Sequence, residues 1–246
     1  DVTAAANRLC DGYQFGQAGR QVYDFLWGDF ADWYIETAKV QLNAGGATAW
    51  TTLSVLVDVL DSGLRLLHPY IPYVTEETWQ QIKAAVEASG LGIAPAGGCP
   101  QALINADWTQ SGNGRFPEAA AAFERLRELV SEIRAVRSTY NVEPSRYIHA
   151  LIAAGDNLPA LAAQRATLVS LARLDDATLE LASGVTPPED AVTVSLGDFT
   201  CYLPLAGMVD LAQERARLES DAAELAAQIA RVSALLDGPF AQKAPP

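Results

Sequence analysis

Apolar positions along this chain of 246 residues recur mostly at helical spacing. Val2, Ala6, Leu9 and Tyr13 mark the tail of a helix over residues 1–13, with Gly12 as a break. Over 16–43, Tyr23, Trp27, Phe30 and Tyr34 fall at i, i+4, i+7 and i+11, and Leu26, Trp33 and Ala38 widen the stripe. That pattern predicts one long helix whose aromatic face is packed core rather than an open base-stacking platform. Asn43, Gly45 and Gly46 give its stop. Leu53, Leu56, Val57, Leu60, Leu64 and Leu67 form one face of a helix over 47–67, which Pro69 and Pro72 end.

The stretch LLHPYIPYVTEETWQ, residues 66–80, raises a choice. His68 with Glu76 and Glu77 could begin a metal site or an active site. Adjacent helical glutamates project about 100° apart, so they converge poorly on one ion. The stretch reads instead as a joint: Thr75 caps the next helix, the two glutamates occupy its first turn, and Trp79, Ile82 and Val86 supply its inner face. Residues 88–114 read as a surface loop tacked down by Trp108. A strong amphipathic helix follows over 117–138, with Phe123, Leu126, Leu129, Val130 and Ile133 on its apolar face and Arg127 and Arg134 pointing away from it.

The period then changes. Residues 147–154, 178–182, 191–196 and 199–203 alternate as strands, and 158–173 reads as a helix, which together make a small α+β unit. Residues 208–236 return to helix. Leu211, Leu218, Leu225 and Val232 take heptad d positions, and Met208, Ala222, Ile229 and Leu236 take a positions, with Arg215 the polar exception. Such a narrow seam signals a coiled coil that needs a partner, for example a second copy of the chain. The fold class is therefore predominantly α, with a helical bundle, a small α+β unit and a long C-terminal coiled-coil helix.

Composition narrows the function. The chain is 50% hydrophobic with a net charge of −13, and its three cysteines are widely spaced. No apolar run approaches a membrane span, and zinc or disulfide frameworks are disfavoured. A first residue Asp and a sole methionine at 208 suggest a piece of something longer. Only residues 115–147 are locally basic, with 6 basic and 5 acidic side chains. A polyanion would have to be met there, in a focused way. No phosphate-binding loop, dinucleotide fingerprint, nucleophile elbow or zinc-protease motif is present. A hydrolase around His68 and Glu76 would need a nucleophile, base and orienting group that the sequence does not assemble, and His149 reads as structural.

Four segments together are similar to the C-terminal part of the valyl-tRNA synthetase family of class I aminoacyl-tRNA synthetases. They are VYDFLWGDFADWYIETAK (22–39), LLHPYIPYVTEETWQ (66–80), IRAVRSTYNVEPSRYI (133–148) and the coiled-coil start over 203–245. The second is shared with isoleucyl and leucyl enzymes, and the last favours valyl. The resemblance implies an anticodon-binding bundle over 1–146, lacking its first helix and carrying a loop at 88–116. It further implies a small α+β domain over 147–206 and a truncated coiled-coil arm over 207–246. It implies a tRNA-recognition role, with valine tRNA and the catalytic domain of the same parent chain as partners, in the cytoplasm.

The class I signatures His-Ile-Gly-His and Lys-Met-Ser-Lys-Ser are absent from the sequence. This piece is therefore expected to have no catalytic residue, metal or cofactor of its own; ATP would serve the parent's catalytic domain in a valine–tRNA ligase. Phosphate contacts are expected at Arg127, Arg134 and Arg137 and, on the arm, at Arg215, Arg217 and Arg231. An ion-paired or solvated arginine is the rival reading of each. The rivals for the whole chain are an acidic helical scaffold that binds protein through the 208–236 seam and the equivalent region of an isoleucyl- or leucyl-tRNA synthetase.

Overall fold

Asp1 starts the first helix, α1 (Val2–Asp11), by accepting a hydrogen bond from the Ala4 amide at 3.1 Å. This computed structural model describes residues 1–237 apart from 111, 113, 115, 207, 209 and 210, and not the side chains of 211–214, 217, 218 and 235–237. The backbone divides into two units, Asp1–Ala121 and Ala122–Pro246.

In the first unit, α1 packs on α2 (Phe15–Asp24), which continues without a break through a π-helical stretch (Phe25–Ile35) into α3 (Glu36–Asn43). The long helix expected over 16–43 is therefore present, but its middle has the wider i→i+5 winding. That winding shifts the aromatic face. Phe30 is buried and stacks on Tyr34, with ring centroids 6.0 Å apart, whereas Tyr23 and Trp27 are 52% and 66% exposed. The expectation that the whole stripe is core fails for these two residues.

Gly45, at φ 72°, turns the chain into α4 (Gly46–Leu67). Leu66 and Leu67 join Ala6 and Val22 in one apolar cluster, and Leu64 joins Trp79 and Leu103 in another. Asp61 and Arg65 lie on the same buried side of α4. Arg65 is bonded to Asp61 through Nε (2.8 Å) and Nη2 (3.2 Å), and Trp79 Nε1 donates to Asp61 at 2.6 Å. Arg65 also donates to the carbonyls of Gly98 and Asp107, so this ion pair anchors the 90–116 loop. Trp108 tacks the loop down as expected, donating to Asn7 at 2.7 Å.

The joint after α4 differs from its expected form. α5 (Pro72–Ser89) begins at Pro72, where a missing N–H costs nothing, so Thr75 is not its cap. Thr75 is fully buried inside the first turns. Its hydroxyl donates to Ile71 O at 3.0 Å and lies 2.8 Å from Nδ1 of His68, the residue closing α4. Glu76 spends one carboxylate oxygen on the Leu103 amide, 2.8 Å away, and the other on Gln80.

α6 (Pro117–Thr139) begins in the first unit and continues in the second. A four-stranded sheet of order β2-β1-β4-β3 forms from β1 (Leu151–Ala153), β2 (Glu180–Ala182), β3 (Ala191–Leu196) and β4 (Phe199–Pro204). β1 pairs parallel to β2 with Ile152 opposite Leu181, and antiparallel to β4 with Ile152 opposite Cys201. Phe199, Cys201 and Leu203 alternate into the core along β4. The expected 158–173 helix is two, α7 (Leu158–Ala163) and α8 (Arg165–Ala172). α9 (Leu211–Asp237) begins after Met208, which is buried at 2% exposure rather than open on the seam as expected, and Leu225, Ile229 and Val232 are exposed on the helix. The side chains at the seam positions Leu211, Leu218 and Leu236, and the whole Gly238-Pro239 stop, lie outside the described residues.

Candidate nucleic-acid interface

The six arginines picked from the sequence separate into different physical situations. Arg127 is partly buried and pairs with Glu124 one turn earlier at 3.2 Å. Arg134 is exposed, and its Nε donates to the Leu171 carbonyl at 3.0 Å. Arg137 is buried among the apolar residues of α6. Its Nη1 donates to Arg173 O at 3.3 Å, and its Nη2 donates to Glu143 O at 3.0 Å and Arg146 O at 2.8 Å. Burial, and secondarily the neighbouring Arg173, pushes the Arg137 guanidinium below its ordinary pKa. Arg137 is thus committed to the backbone, which corrects its expected place on a surface that meets phosphate.

On α9, Arg215 is exposed and pairs with Glu219 at 2.9 Å, and Arg231 is exposed. The side chain of Arg217 lies outside the described residues. Pairs as exposed as Arg215–Glu219 are worth about 0.2–1 kcal/mol, so a phosphate could displace the carboxylate at little cost.

Sequence reading passed over a second group that the fold assembles around Arg137. Arg146 and Tyr147 follow the turn after α6, and Arg173 closes α8. A parallel bridge between Ile148 and Leu174 brings the two segments side by side. Arg173 donates to Tyr147 Oη at 3.1 Å, with its guanidinium carbon 5.7 Å from the ring centroid. No local pattern links residues 147 and 173; the link is the bridge.

The first unit presents aromatic surface. Tyr23 and Trp27 stack with ring centroids 6.1 Å apart and planes only 3° from parallel. Tyr13 and Phe15 are exposed near the start of the same helix. Flat rings exposed to solvent are suited to stacking unpaired bases. A cleft of about 970 Å³ in this unit is lined by Arg65, whose charge Asp61 meets, and by Asp1, Asp58 and Asp107, which leaves it the wrong sign for a polyanion. His68, Glu76 and Glu77 are engaged with Thr75, the Leu103 amide and their helical neighbours. Among the described residues no group of three His, Cys, Asp or Glu could hold a metal ion, and no helix is long and apolar enough to cross a membrane.

Comparison with known proteins gives this surface a context. The model of the family described as "Anticodon-binding domain of tRNA ligase" matches residues 1–152. A valine–tRNA ligase of Dehalococcoides mccartyi is 39% identical over 99% of this chain and 27% of its own length. One from Geobacter sulfurreducens is 35% identical over 99% of the chain and 26% of its own length. A chloroplastic/mitochondrial valine–tRNA ligase of Arabidopsis thaliana is 33% identical over 99% and 24% respectively. The chain thus spans about a quarter of the length of these relatives.

Proposed function

The chain belongs to the anticodon-binding domain family of tRNA ligases, and from that premise we propose that it is the tRNA-recognition part of a valine–tRNA ligase. It positions valine tRNA, in the cytoplasm, for aminoacylation by a catalytic domain of the same parent chain, which uses ATP. The observation that carries the reading is that the family match, residues 1–152, takes in the whole helical unit that displays the Tyr23–Trp27 stack. Catalysis by the parent then depends on this part for positioning alone. Unpaired anticodon bases stack on the open aromatic rings, and arginines hold the backbone.

The test is binding of valine tRNA, and of the same tRNA with altered anticodon bases, to the chain and to Trp27→Ala. Base–aromatic stacking is worth roughly 1–3 kcal/mol, so Trp27→Ala should weaken binding about 5- to 150-fold. Equal binding of both tRNAs would refute anticodon recognition. Unchanged affinity in Trp27→Ala would remove the stack from the interface.

A second reading rests on α9, where Leu225, Ile229 and Val232 are 57%, 66% and 54% exposed. The seam pairs with another helix, and in the chain alone with a second copy. Sedimentation should then show dimers that Leu225→Asp/Ile229→Asp abolishes. A strict monomer at high concentration would end this reading.

A further inference from the structure

We propose that Arg146 and Arg173 form a phosphate-binding site for RNA on the second unit, with Arg137 and Tyr147 as the residues that position them. The inference rests on the tRNA reading above and extends it to a surface beyond the helical unit.

The construction begins with Arg137. Its buried guanidinium bonds the backbone carbonyls of residues 146 and 173 together, which makes two arginines from distant parts of the sequence immediate neighbours. The Ile148–Leu174 bridge, with the Ile148 amide on Arg173 O at 3.1 Å, fixes the same junction. Both Arg146 and Arg173 are exposed there. Among the described residues, no carboxylate pairs with Arg137, Arg146 or Arg173. The Arg137 charge is met only by carbonyl dipoles, and its neighbour Arg173 adds a second positive charge. Glu143 and Asp175 belong to the same junction, but Glu143 is bonded there through its backbone carbonyl and Asp175 spends its carboxylate on the Ala177 amide and the Thr178 hydroxyl, so neither is paired with the exposed Arg146 and Arg173. In a chain of net charge −13, the three guanidiniums leave this junction locally positive. Planar guanidiniums match phosphate oxygens in pairs, and they desolvate more readily than ammonium groups.

The backbone of Arg173 is an independent observation. It sits at φ 56° and ψ 52°, the left-handed closing position of α8. Glycine is the usual residue there, and a side chain costs roughly 1–2 kcal/mol. The side chain of Arg173 is exposed, so core packing does not offset that cost. Its contact is Tyr147, which is 52% exposed and holds the guanidinium by its hydroxyl and ring. The end of α8 sets that backbone, and an arginine kept there in place of glycine, with its guanidinium braced at the surface, is what a phosphate ligand would account for.

The strain supplies the test, because Arg173→Gly should leave stability unchanged or raised while removing the charge. Valine tRNA binding is measured from 50 to 300 mM salt for the chain, Arg173→Gly, and Arg146→Ala/Arg173→Gly, with thermal midpoints recorded alongside. The expected result is weaker binding with a log–log salt slope shallower by about 1 per arginine, at an undiminished midpoint. Arg146→Lys/Arg173→Lys, which keeps the charge, should keep the slope. If the unaltered chain binds and the double variant matches it in affinity and slope, the site is overturned while the tRNA reading stands. If Arg173→Gly lowers the midpoint, the arginine is structural and the site is overturned too. If the folded, unaltered chain binds no tRNA at 50 mM salt, the tRNA reading fails and takes the site with it.

Discussion

Asp61→Asn should unfold the first unit far more easily than its small change in shape suggests. The Arg65 and Asp61 side chains are 3% and 1% exposed, so water cannot take over what the carboxylate does. Asparagine can still accept from Trp79, but it presents one acceptor oxygen where Arg65 now uses two. It also leaves the guanidinium charge buried with only the Gly98 and Asp107 carbonyls opposite it. Breaking a buried pair from one side costs about 3–5 kcal/mol, against about 0.2–1 kcal/mol for an exposed pair such as Arg20–Asp24. Replacing both partners with apolar residues, as in Asp61→Leu/Arg65→Met, removes the stranded charge. What remains is an unpaired Trp79 N–H and two carbonyls, so the double variant should lose clearly less than the sum of the single changes.

The assay is urea unfolding followed by tryptophan fluorescence. All five tryptophans, at 27, 33, 50, 79 and 108, lie in the first unit, so the signal reports on that unit alone. A loss below about 1 kcal/mol for Asp61→Asn would mean that the pair behaves as an exposed one. Strict additivity in the double variant would mean that the two side chains do not act together. Either result would refute the reasoning.

Three further outcomes follow from the packing. Gly97→Ala would place a Cβ 2.8 Å from the Arg65 Cζ, which four hydrogen bonds hold in place. It should cost about 1–3 kcal/mol in the same assay, and no loss would mean that Arg65 moves freely. Thr75→Val keeps the shape but deletes the hydroxyl between His68 and Ile71, and should cost about 1–2 kcal/mol in the first unit. Cys99 is exposed, whereas burial pushes the Cys201 thiol up to about 12, so a thiol reagent at pH 8 should label Cys99 at once and Cys201 only as the second unit opens. The unfolded thiol ionises near 8.5, so the stabilising contribution of Cys201 is complete below that pH and is lost as pH rises towards 12. Equal labelling rates in the folded protein would contradict this burial.

The helices were legible wherever an apolar stripe met a stop signal. α4 ends at Leu67 before Pro69 because proline forbids continuation, and α6 runs from Pro117 as its pattern predicts. The sheet was legible from period-two alternation along 191–196 and 199–203. The misses have local causes. Thr75 has the chemistry of a cap, but Pro72 offers an earlier start, and the hydroxyl was needed in the interior. The π winding leaves no compositional mark, so an i, i+4, i+7 stripe was projected onto a helix of a different period. The Asp61–Arg65 pair did leave a mark: both residues fall four apart within the leucine stripe of α4, where a charge has to be paired if it is buried.

The arginines show why a site is harder to read than a fold. Arg137 stands seven residues after Val130 and four after Ile133, so helical spacing already put it on the buried stripe of α6. As one arginine in a basic block it suggested phosphate. As a position on a helix it was a clamp, and the clamp is what brings the 146 and 173 segments together. Arg173 could not be found that way. Its neighbour Tyr147 lies 26 positions earlier, and its left-handed backbone is set by the end of α8. Local periodicity settles which arginines are structural, because burial is periodic. It does not settle which exposed arginines act together, because that depends on a bridge between distant segments. On this chain the residues to test first for phosphate contact are therefore the pair that Arg137 holds together, ahead of Arg137 itself.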